Sequence, residues 1–309
     1  MKYVITGGTG QIGSRLVQDL VEDGHDVIVL TRNPEHREAT VPAEATLAKW
    51  DAESATGWVH HADGADVIIN FAGENLSGGS FIPKRWTGSI KERIVNSRIK
   101  AGHAVVQTIR EADQKPALVV QASASGYYGT NLDQDPKTEK APAGDDWLAQ
   151  VCQQWEAATD EVEELGVRRI ILRTGLILDD NEGVLPRLTL PFKLFAGGTF
   201  GSGEQYYPWI HIRDEIRAIR FLMDIEDSSG PYNLSAPDPA TNRQMAKALG
   251  RVVNRPAWAP VPAFAMKLAL GEVATLVLGG QRMVPQRMEQ TNFEFKYAEL
   301  EPALRDLLG

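Results

Sequence analysis

The stretch ITGGTGQIGSRL, residues 5–16, decides the fold of this chain. It continues the short apolar run 3–5 and opens a segment with apolar residues at helical spacing. In such a strand–turn–helix, Gly7 permits the tight turn, Gly10 lets the backbone approach a pyrophosphate, and Gly13 lets the helix pack closely on the strand. Because free N–H groups at a helix amino terminus attract anions, the spacing predicts a dinucleotide-binding turn. The residues predicted to contact the dinucleotide here are Gly7, Thr9, Gly10, Gln11, Ile12 and Gly13.

The end of the second predicted strand indicates which dinucleotide binds. The strand ends in VLTRN, residues 29–33, which offers no carboxylate to hold a ribose 2′-hydroxyl. A guanidinium such as that of Arg32 can instead hold a 2′-phosphate through two hydrogen bonds. The alternative is a solvated arginine after a strand. We predict an NADP(H) site with Thr31 and Arg32 among its contacts.

Short apolar runs alternate with amphipathic stretches through the first half of the chain. The predicted strands are 3–5, 27–30, 66–69, 118–120 and 169–172. The longer predicted helices cover about 90–111 and 146–165. This alternation is typical of βα units on a parallel sheet, and it predicts an α/β fold with a doubly wound Rossmann sheet.

The composition changes after Gly175. Glycine and proline become frequent, which predicts long loops over the carboxyl edge of the sheet and a substrate-loop insertion around 180–209. Beyond that insertion, the last stretch consists of short helical segments separated by proline and glycine. We therefore predict a cofactor domain over 1–236 and a smaller, discontinuous, mostly helical lobe over 237–309.

Charge and composition restrict the partners. The net charge of −9 disfavours a nucleic-acid partner, because a phosphate backbone repels an acidic surface that has no segregated basic patch. A single cysteine excludes an internal disulfide and fits a reducing compartment. The most apolar late stretch is interrupted by charges, so we expect no membrane span, and the first residues enter a strand directly. We expect a cytoplasmic protein with a small-molecule substrate.

Two further strand ends bring small or polar residues to the same edge. The stretch Phe71-Ala72-Gly73 would let the chain pass beneath the adenosine half of a cofactor. The segment QASASGYYGT, residues 121–130, gathers hydroxyls where a strand ends, as a dehydrogenase or epimerase requires. Ser123 is the better site serine because it lies nearer the strand than Ser125, which can satisfy turn backbone groups. Tyr127 is the second catalytic candidate.

These motifs resemble the extended short-chain dehydrogenase/reductase superfamily: TGGTGQIG, INFAG, SASGYYG, and GSG leading to WIHIRD. Four other stretches resemble one branch of it, the atypical NAD(P)-binding epimerase-family proteins. They are RWTGSIKERIVNSR, CQQWEAA, LRTGLIL and the tail from NRQMAKALGR to GQRMVPQRM. The resemblance runs over nearly the whole chain, and it implies a Rossmann domain with a small carboxyl-terminal helical domain.

The resemblance also implies roles for single residues. Ordinary members pair a serine with a tyrosine and a lysine spaced Y-x-x-x-K, and this chain has Leu148 and Cys152 at those places. Ser123 occupies the serine position. Arg98 stands where the superfamily has a helix asparagine, which places it against the cofactor; the alternative is a solvated arginine on the face of the long helix. Ile177 would offer backbone groups near the nicotinamide carboxamide. A phenol ionises near pH 10, so without the lysine a tyrosine here is a poor base but a plausible acid.

Several residues have two readings. Cys152 is either a small core residue or a reactive thiol, and no cation near it in sequence lowers its pKa. His211 either anchors a loop or shuttles protons. Trp50-Asp51 either borders the adenine or holds an aromatic at the surface. The stretch Lys84-Arg85-Trp86 begins the long helix near the cleft and meets either an anionic substrate or solvent.

Two classes of function compete. The first is an NADP(H)-dependent oxidoreductase, epimerase-like in descent, that acts slowly or specifically on a small or nucleotide-linked polar substrate. The second is a sensor or scaffold that holds NADP(H) without turnover. Loss of the tyrosine–lysine pair favours the second class, whereas Ser123, Arg98 and the glycine-rich cleft loop favour the first. S-adenosylmethionine binding is disfavoured by the three glycines together with Arg32.

Overall fold

The structure, a computed structural model, describes residues 1–35, 41–79 and 83–309. Its strands are β1 Lys2–Thr6, β2 Asp26–Thr31, β3 Thr46–Lys49, β4 Val67–Asn70, β5 Leu118–Ala124, β6 Arg168–Thr174, β7 Leu176–Leu178, β8 Tyr206–Tyr207, β9 Trp209–His211, β10 Gly230–Leu234 and β11 Ala240–Thr241. Its helices are α1 Gln11–Glu22, α2 Val59–Ala62, α3 Gly88–Glu111, α4 Trp147–Ala157, α5 Glu161–Glu164, α6 Leu185–Lys193, α7 Ile212–Asp224, α8 Asn242–Val252, α9 Ala263–Leu270, α10 Thr275–Leu278, α11 Gln286–Glu289 and α12 Leu300–Leu308. Short 3-10 helices cover Ser125–Tyr128 and Gly271–Ala274.

Within the described residues, seven strands form one parallel sheet in the order β10-β6-β5-β4-β1-β2-β3. The strand order reverses at β1, so the carboxyl ends of β1 and β4 border the crevice where ligands bind in doubly wound sheets. Both faces are covered. Ile5 packs with Leu16 of α1 on one face, and Val4 packs with Val105 of α3 on the other. The predicted Rossmann fold is confirmed.

The helices differ from the sequence prediction at two places. Helix α3 begins at Gly88, where the Thr87 hydroxyl caps the Ile90 N–H, so residues 84–86 precede the helix. The single helix predicted over 146–165 is divided into α4 and α5. At this break the Glu156 carbonyl accepts hydrogen bonds from Arg169, a side chain of β6, at 2.8 Å and from the Thr159 N–H at 3.4 Å. The Asp160 N–H, which would bond to Glu156 in a continuous α-helix, donates instead to the Ala157 carbonyl.

The carboxyl-terminal region is mostly helical, as predicted, and it has its own apolar core. The segment predicted as loops around 180–209 contains helix α6, because apolar side chains recur there at helical spacing and pack against Met245 of α8. The sequence prediction also missed the two edge strands of the sheet, β3 and β10, and two of the four residues of β3 are exposed. The domain boundary after residue 236 stays a prediction.

No helix in the described part of the chain combines the length and the apolar character that a membrane crossing requires.

Candidate functional site

The glycine turn between β1 and α1 has almost no room for side chains. Gly7 adopts a φ of +67°, a conformation that favours glycine. A Cβ on Gly7 would lie 2.7 Å from the Phe71 backbone, and one on Gly13 would lie 2.3 Å from the Gly7 carbonyl oxygen. Gly10 is the N-cap of α1 and provides no capping side chain, so the first N–H groups of the helix remain available to a ligand.

Side chains next to this turn also fit a bound dinucleotide. Thr9 is exposed, whereas Gln11 and Ile12 are half-buried at the start of α1. The Gln11 amide nitrogen is buried without a hydrogen-bond partner among the described residues, and Gly183 lies beside that amide group. A crowded glycine cradle with an orphaned amide donor at a helix amino terminus suits a pyrophosphate.

At the end of β2, the Thr31 hydroxyl accepts a hydrogen bond from the Asn33 N–H, which shapes the turn. Arg32 is exposed in this turn. The turn runs into residues 36–40, which lie outside the described part of the chain. Among the described residues the Arg32 guanidinium has no hydrogen bond or ion pair, so it can reach a ligand at the carboxyl edge of the sheet.

A row of buried polar side chains joins the carboxyl ends of β1, β4 and β5. The Thr6 hydroxyl donates to Asn70 at 2.7 Å, and the Asn70 amide donates to Gln121 at 2.9 Å. The Ala72 N–H donates to the Thr6 hydroxyl, which fixes the Phe71–Gly73 segment against the glycine turn. The crevice floor is therefore held by side chains as well as by the backbone ladder.

Ser123 belongs to a buried ionic cluster. Its hydroxyl donates to Glu156 Oε1 at 2.6 Å. Arg173, the cross-strand neighbour of Ser123, donates to both oxygens of the same carboxylate at 2.9 Å. Burial by itself would lower the pKa of the Arg173 guanidinium, but the hydrogen bonds and the charge of Glu156 raise it by a larger amount. The pKa of Arg173 is therefore above its ordinary value. The Arg173 guanidinium is therefore charged near neutral pH.

The two tyrosines after Ser123 have different environments. Tyr128 is buried, receives a hydrogen bond from Arg173 and donates to Asn233 of β10 at 2.7 Å. Burial raises the pKa of Tyr128 to about 12. Tyr127 is half-buried, and the centre of its ring lies 3.4 Å from the central carbon of the Arg173 guanidinium. Tyr127 is thus the more accessible phenol of the pair.

Helix α4 presents Leu148, Cys152 and Glu156 on one face, four residues apart. The thiol of Cys152 is buried. Its pKa is raised to about 12, mainly by burial and to a smaller extent by the charge of Glu156. The core reading of Cys152 is therefore confirmed over the reactive-thiol reading. The sequence analysis missed Glu156, although its position one turn beyond Cys152 was a usable signal.

Arg98 is buried on α3 rather than solvated. It donates to the Glu74 and Ile94 carbonyl oxygens, and its guanidinium covers the Trp155 ring at 4.6 Å. A Cβ on Gly73 would lie 3.1 Å from the central carbon of this guanidinium. The structure thus brings Arg98 and the Phe71–Gly73 segment together at the carboxyl edge.

Beyond β6, Ile177 lies in β7, which pairs with β9, and its side chain is half-buried. His211 ends β9 and caps α7 by accepting the Arg213 N–H at 3.0 Å. Its ring stacks on Tyr297 at 3.8 Å, and burial lowers its pKa. These contacts support the anchoring reading of His211.

The remaining candidates have internal partners. Trp50 is buried beside Trp58, and Asp51 accepts the backbone N–H groups of a turn, so Trp50 is a core residue rather than a surface aromatic. Arg85 donates to carbonyl oxygens at the end of α9, and Trp86 contacts Trp147 at 4.7 Å. Over residues 1–35, 41–79 and 83–309, no group of three His, Cys, Asp or Glu side chains could hold a metal ion.

The sequence is similar to that of known proteins over its whole length. The model of the NAD dependent epimerase/dehydratase family matches residues 3–235, and that of a domain of unknown function matches residues 261–307. Epimerase family protein YfhF of Bacillus subtilis is 37% identical over 309 residues, which is 100% of this chain and 98% of the relative. Epimerase family protein SAR0825 of Staphylococcus aureus is 36% identical, with 100% and 99% covered.

Solved structures of known proteins have the same fold. Human epimerase family protein SDR39U1, solved with NADPH, superposes with a TM-score of 0.86 at 29% identity and 99% coverage of both chains. UDP-glucose 4-epimerase of Thermotoga maritima shares the fold with a TM-score of 0.79 at 18% identity, over 99% of this chain and 96% of that one. The chain therefore belongs to the NAD-dependent epimerase/dehydratase family, as one of the atypical short-chain dehydrogenase/reductase proteins named epimerase family proteins.

Proposed function

We propose that this protein binds NADP(H) and uses it for slow or specialised oxidoreduction of a small or nucleotide-linked polar substrate. The observation that supports the cofactor most directly is the glycine cradle, in which a Cβ on Gly13 would lie 2.3 Å from the Gly7 carbonyl oxygen. The exposed guanidinium of Arg32 favours the 2′-phosphorylated dinucleotide. The human relative was solved with NADPH.

The bound nicotinamide would supply hydride transfer, and the chain would supply orientation and proton handling. Tyr127 is the accessible phenol beside Ser123 and the proposed hydrogen-bond donor to a substrate oxygen. Ser123 donates to Glu156 at 2.6 Å, so its oxygen has lone pairs left for a substrate hydroxyl. This pairing favours an alcohol as the ligand at Ser123, with any carbonyl oxygen served by Tyr127.

A second candidate is an NADP(H)-binding sensor or scaffold. Two observations favour it: α4 offers Leu148 and Cys152 where a tyrosine and a lysine would stand, and Ser123 is committed to a buried ion pair. A protein that only reports cofactor occupancy needs the cradle but needs no base. Turnover separates the two candidates.

Calorimetric titration with NADPH tests the cofactor proposal. The wild type should bind NADPH, and Gly13→Val should lose binding because its side chain would collide with the Gly7 carbonyl. Gly88→Val, at the exposed first residue of α3, is the matched control for inserting valine at a glycine, since that position has no positive φ and no neighbour within 4 Å of a new Cβ. Failure of the wild type to bind NADPH, or tight binding by Gly13→Val, would contradict the proposal.

Turnover is tested by NADPH oxidation with a panel of aldehydes and ketones. We expect slow oxidation that Tyr127→Phe reduces further, because the phenolic donor is lost. We expect no rapid epimerisation of UDP-glucose, since removal of a proton from a sugar hydroxyl needs a base that works near pH 7. Binding of NADPH with no turnover on any substrate would favour the sensor, and rapid epimerisation would exclude both candidates.

A further inference from the structure

The exposed large apolar side chains of this protein are concentrated in two segments. Among residues 1–35, 41–79 and 83–309, eight such side chains are exposed, and only Met1 and Leu132 lie outside these segments. The other six, which are between 38 and 74% exposed, are Leu190, Leu194, Phe195, Trp258, Phe264 and Leu268. Single exposed apolar residues are ordinary on a protein surface, but a cluster of this size indicates an interaction site.

Hydrogen bonds hold the two segments side by side. The Trp258 indole N–H donates to the Phe195 carbonyl at 2.9 Å. Further along, the Val261 N–H donates to the Thr199 carbonyl at 2.8 Å. Helix α9 begins two residues after Val261. The exposed apolar side chains at the end of α6, in the strap before α9 and on α9 itself therefore come from adjoining parts of the structure.

Helix α9 is apolar but unburied. Seven of its eight residues are apolar, and none of them is buried. Phe264 and Leu268, four residues apart, share one face of the helix, and both are 74% exposed. Because removal of apolar surface from water is the main favourable contribution to packing, this face of α9 gains free energy from any apolar surface that covers it.

The charge of these segments is opposite to that of the whole chain, which carries −9. Residues 183–203 and 251–271 contain no aspartate or glutamate, and their charged residues are Arg187, Lys193, Arg251, Arg255 and Lys267. Arg251 is paired with Glu301, but Lys193 and Lys267 are exposed and have no acidic partner among the described residues. The sequence analysis expected no segregated basic patch, because each segment holds only two or three of these residues and the fold brings the segments together.

The basic and apolar side chains adjoin each other. The Arg255 guanidinium covers the Phe195 ring at 4.5 Å. Lys267 lies on α9 directly before Leu268. The acidic residue that follows α9, Glu272, is paired with Lys91. The surface therefore combines apolar and cationic groups without a free carboxylate next to α9.

We propose that these side chains form an apolar-basic face that binds the surface of an anionic lipid bilayer. The face consists of Leu190, Leu194, Phe195, Trp258, Phe264 and Leu268 together with Lys193, Arg255 and Lys267. Aromatic and leucine side chains enter the boundary between headgroups and acyl chains, while lysine and arginine contact the anionic headgroups. Such peripheral binding requires no membrane-crossing helix, and it is independent of the cofactor proposal because no residue of the face belongs to the glycine cradle.

A second copy of the chain is the other occupant that an apolar face can have. A two-fold dimer would bring the same face of both copies together, and with it the cations Lys193, Arg255 and Lys267 of each copy. Like charges placed against each other weaken an interface, whereas an anionic bilayer attracts them. The charge of the face therefore favours the lipid surface.

Co-sedimentation of the full chain with lipid vesicles tests this assignment. The wild type should bind vesicles of equal parts phosphatidylcholine and phosphatidylglycerol at least about tenfold more tightly than vesicles of phosphatidylcholine alone, since each basic residue near the bilayer adds about fivefold. Trp258→Ser combined with Phe264→Ser should weaken binding to the anionic vesicles by about tenfold or more. Leu132→Ser, at an exposed leucine outside the face, is the matched control and should bind as the wild type does.

The electrostatic part is tested by Lys193→Glu combined with Lys267→Glu, which should also weaken binding to the anionic vesicles by about tenfold or more. Lys115→Glu combined with Lys140→Glu makes the same change in net charge at two exposed lysines outside the face. This control should weaken binding by less than about threefold, because charges farther from the bilayer are screened. All of the replaced side chains are exposed, so each variant should unfold at the urea concentration of the wild type.

Equal binding to neutral and anionic vesicles, or absence of binding to both, would overturn the proposal. Binding that survives the substitutions in the face would overturn it as well. Sedimentation velocity without lipid identifies the other occupant. A wild-type dimer that Trp258→Ser with Phe264→Ser converts to a monomer would assign the face to a second copy and would also overturn the proposal.

Discussion

Ser123 donates a hydrogen bond of 2.6 Å to Glu156, across the interface between the end of β5 and helix α4. Arg173 holds the same carboxylate through two further hydrogen bonds, so Glu156 accepts from both the serine and the arginine. In this arrangement Ser123 can accept a hydrogen bond from a ligand, but it can donate one only by leaving Glu156. The site serine is therefore part of a buried charge cluster as well as of the crevice.

The first prediction concerns this cluster. Glu156→Gln removes the negative charge and leaves the buried Arg173 guanidinium uncompensated, so we expect a loss of about 3–5 kcal/mol in the free energy of unfolding. Ser123→Ala removes one hydrogen bond and should cost about 1 kcal/mol. Urea denaturation measures both changes.

The double variant Glu156→Gln with Arg173→Met tests whether the ion pair causes the effect. Removing both charges should cost less than the sum of the single losses, because no unpaired charge remains buried. Additive losses would show that the two residues stabilise the fold independently of each other.

The second prediction concerns cofactor preference. NADPH should bind at least about tenfold more tightly than NADH, a difference of about 1.4 kcal/mol, because Arg32 can hold the 2′-phosphate. Arg32→Ala should abolish this preference in calorimetric titrations. Lys115→Ala, an exposed residue just before β5 at the opposite edge of the sheet, should leave it unchanged. A preference that survives Arg32→Ala would contradict the assignment.

The third prediction concerns Glu215, which is fully buried on α7. The Thr174 hydroxyl donates to its Oε1 at 2.8 Å, and Oε2 has no partner among the described residues. Burial raises its pKa from 4.5 to about 8. Between these two values the folded state binds the proton more tightly than the unfolded state, so this contribution to stability is complete below pH 4.5 and is lost as pH rises to about 8.

Urea denaturation at pH 6 and pH 8 measures this contribution. In the wild type the free energy of unfolding should fall by about 1.4 kcal/mol for each unit that the pH rises, and Glu215→Gln should lack this dependence. Glu226→Gln, an exposed control, should follow the wild type. Equal pH dependence in the wild type and Glu215→Gln would show that Glu215 ionises normally.

The fourth prediction concerns the glycine-rich segment 197–207. It is attached to the carboxyl-terminal lobe, since Gly201 N–H donates to the Val261 carbonyl and Val261 N–H donates to Thr199. These two amides should exchange slowly with deuterium in the ligand-free protein, and protection across 197–207 should rise when NADPH and a substrate bind. A segment whose exchange is the same with and without ligands is not a lid.

The sequence by itself determined the cradle and the sheet. Gly7 and Gly13 are required by steric contacts with backbone a few residues or one strand away, and such local constraints appear directly in the glycine spacing. Apolar runs typical of buried parallel strands predicted five of the seven strands of the sheet, whereas the edge strands β3 (TLAK) and β10 (GPYNL) are not such runs. The family resemblance, with Leu148 and Cys152 at the positions of the usual tyrosine and lysine, also indicated from sequence that this pair is missing.

Tertiary structure alone decided how the polar residues are used. Ser123, Glu156 and Arg173 meet because strand register and the placement of α4 bring together residues far apart in the chain, and no local pattern encodes that pairing. Arg98 looks like a solvated helix residue in sequence, but packing against Trp155 buries it. Burial and cross-element hydrogen bonding depend on distances between distant segments, and these distances set the charges and pKa values on which the chemistry of the site depends.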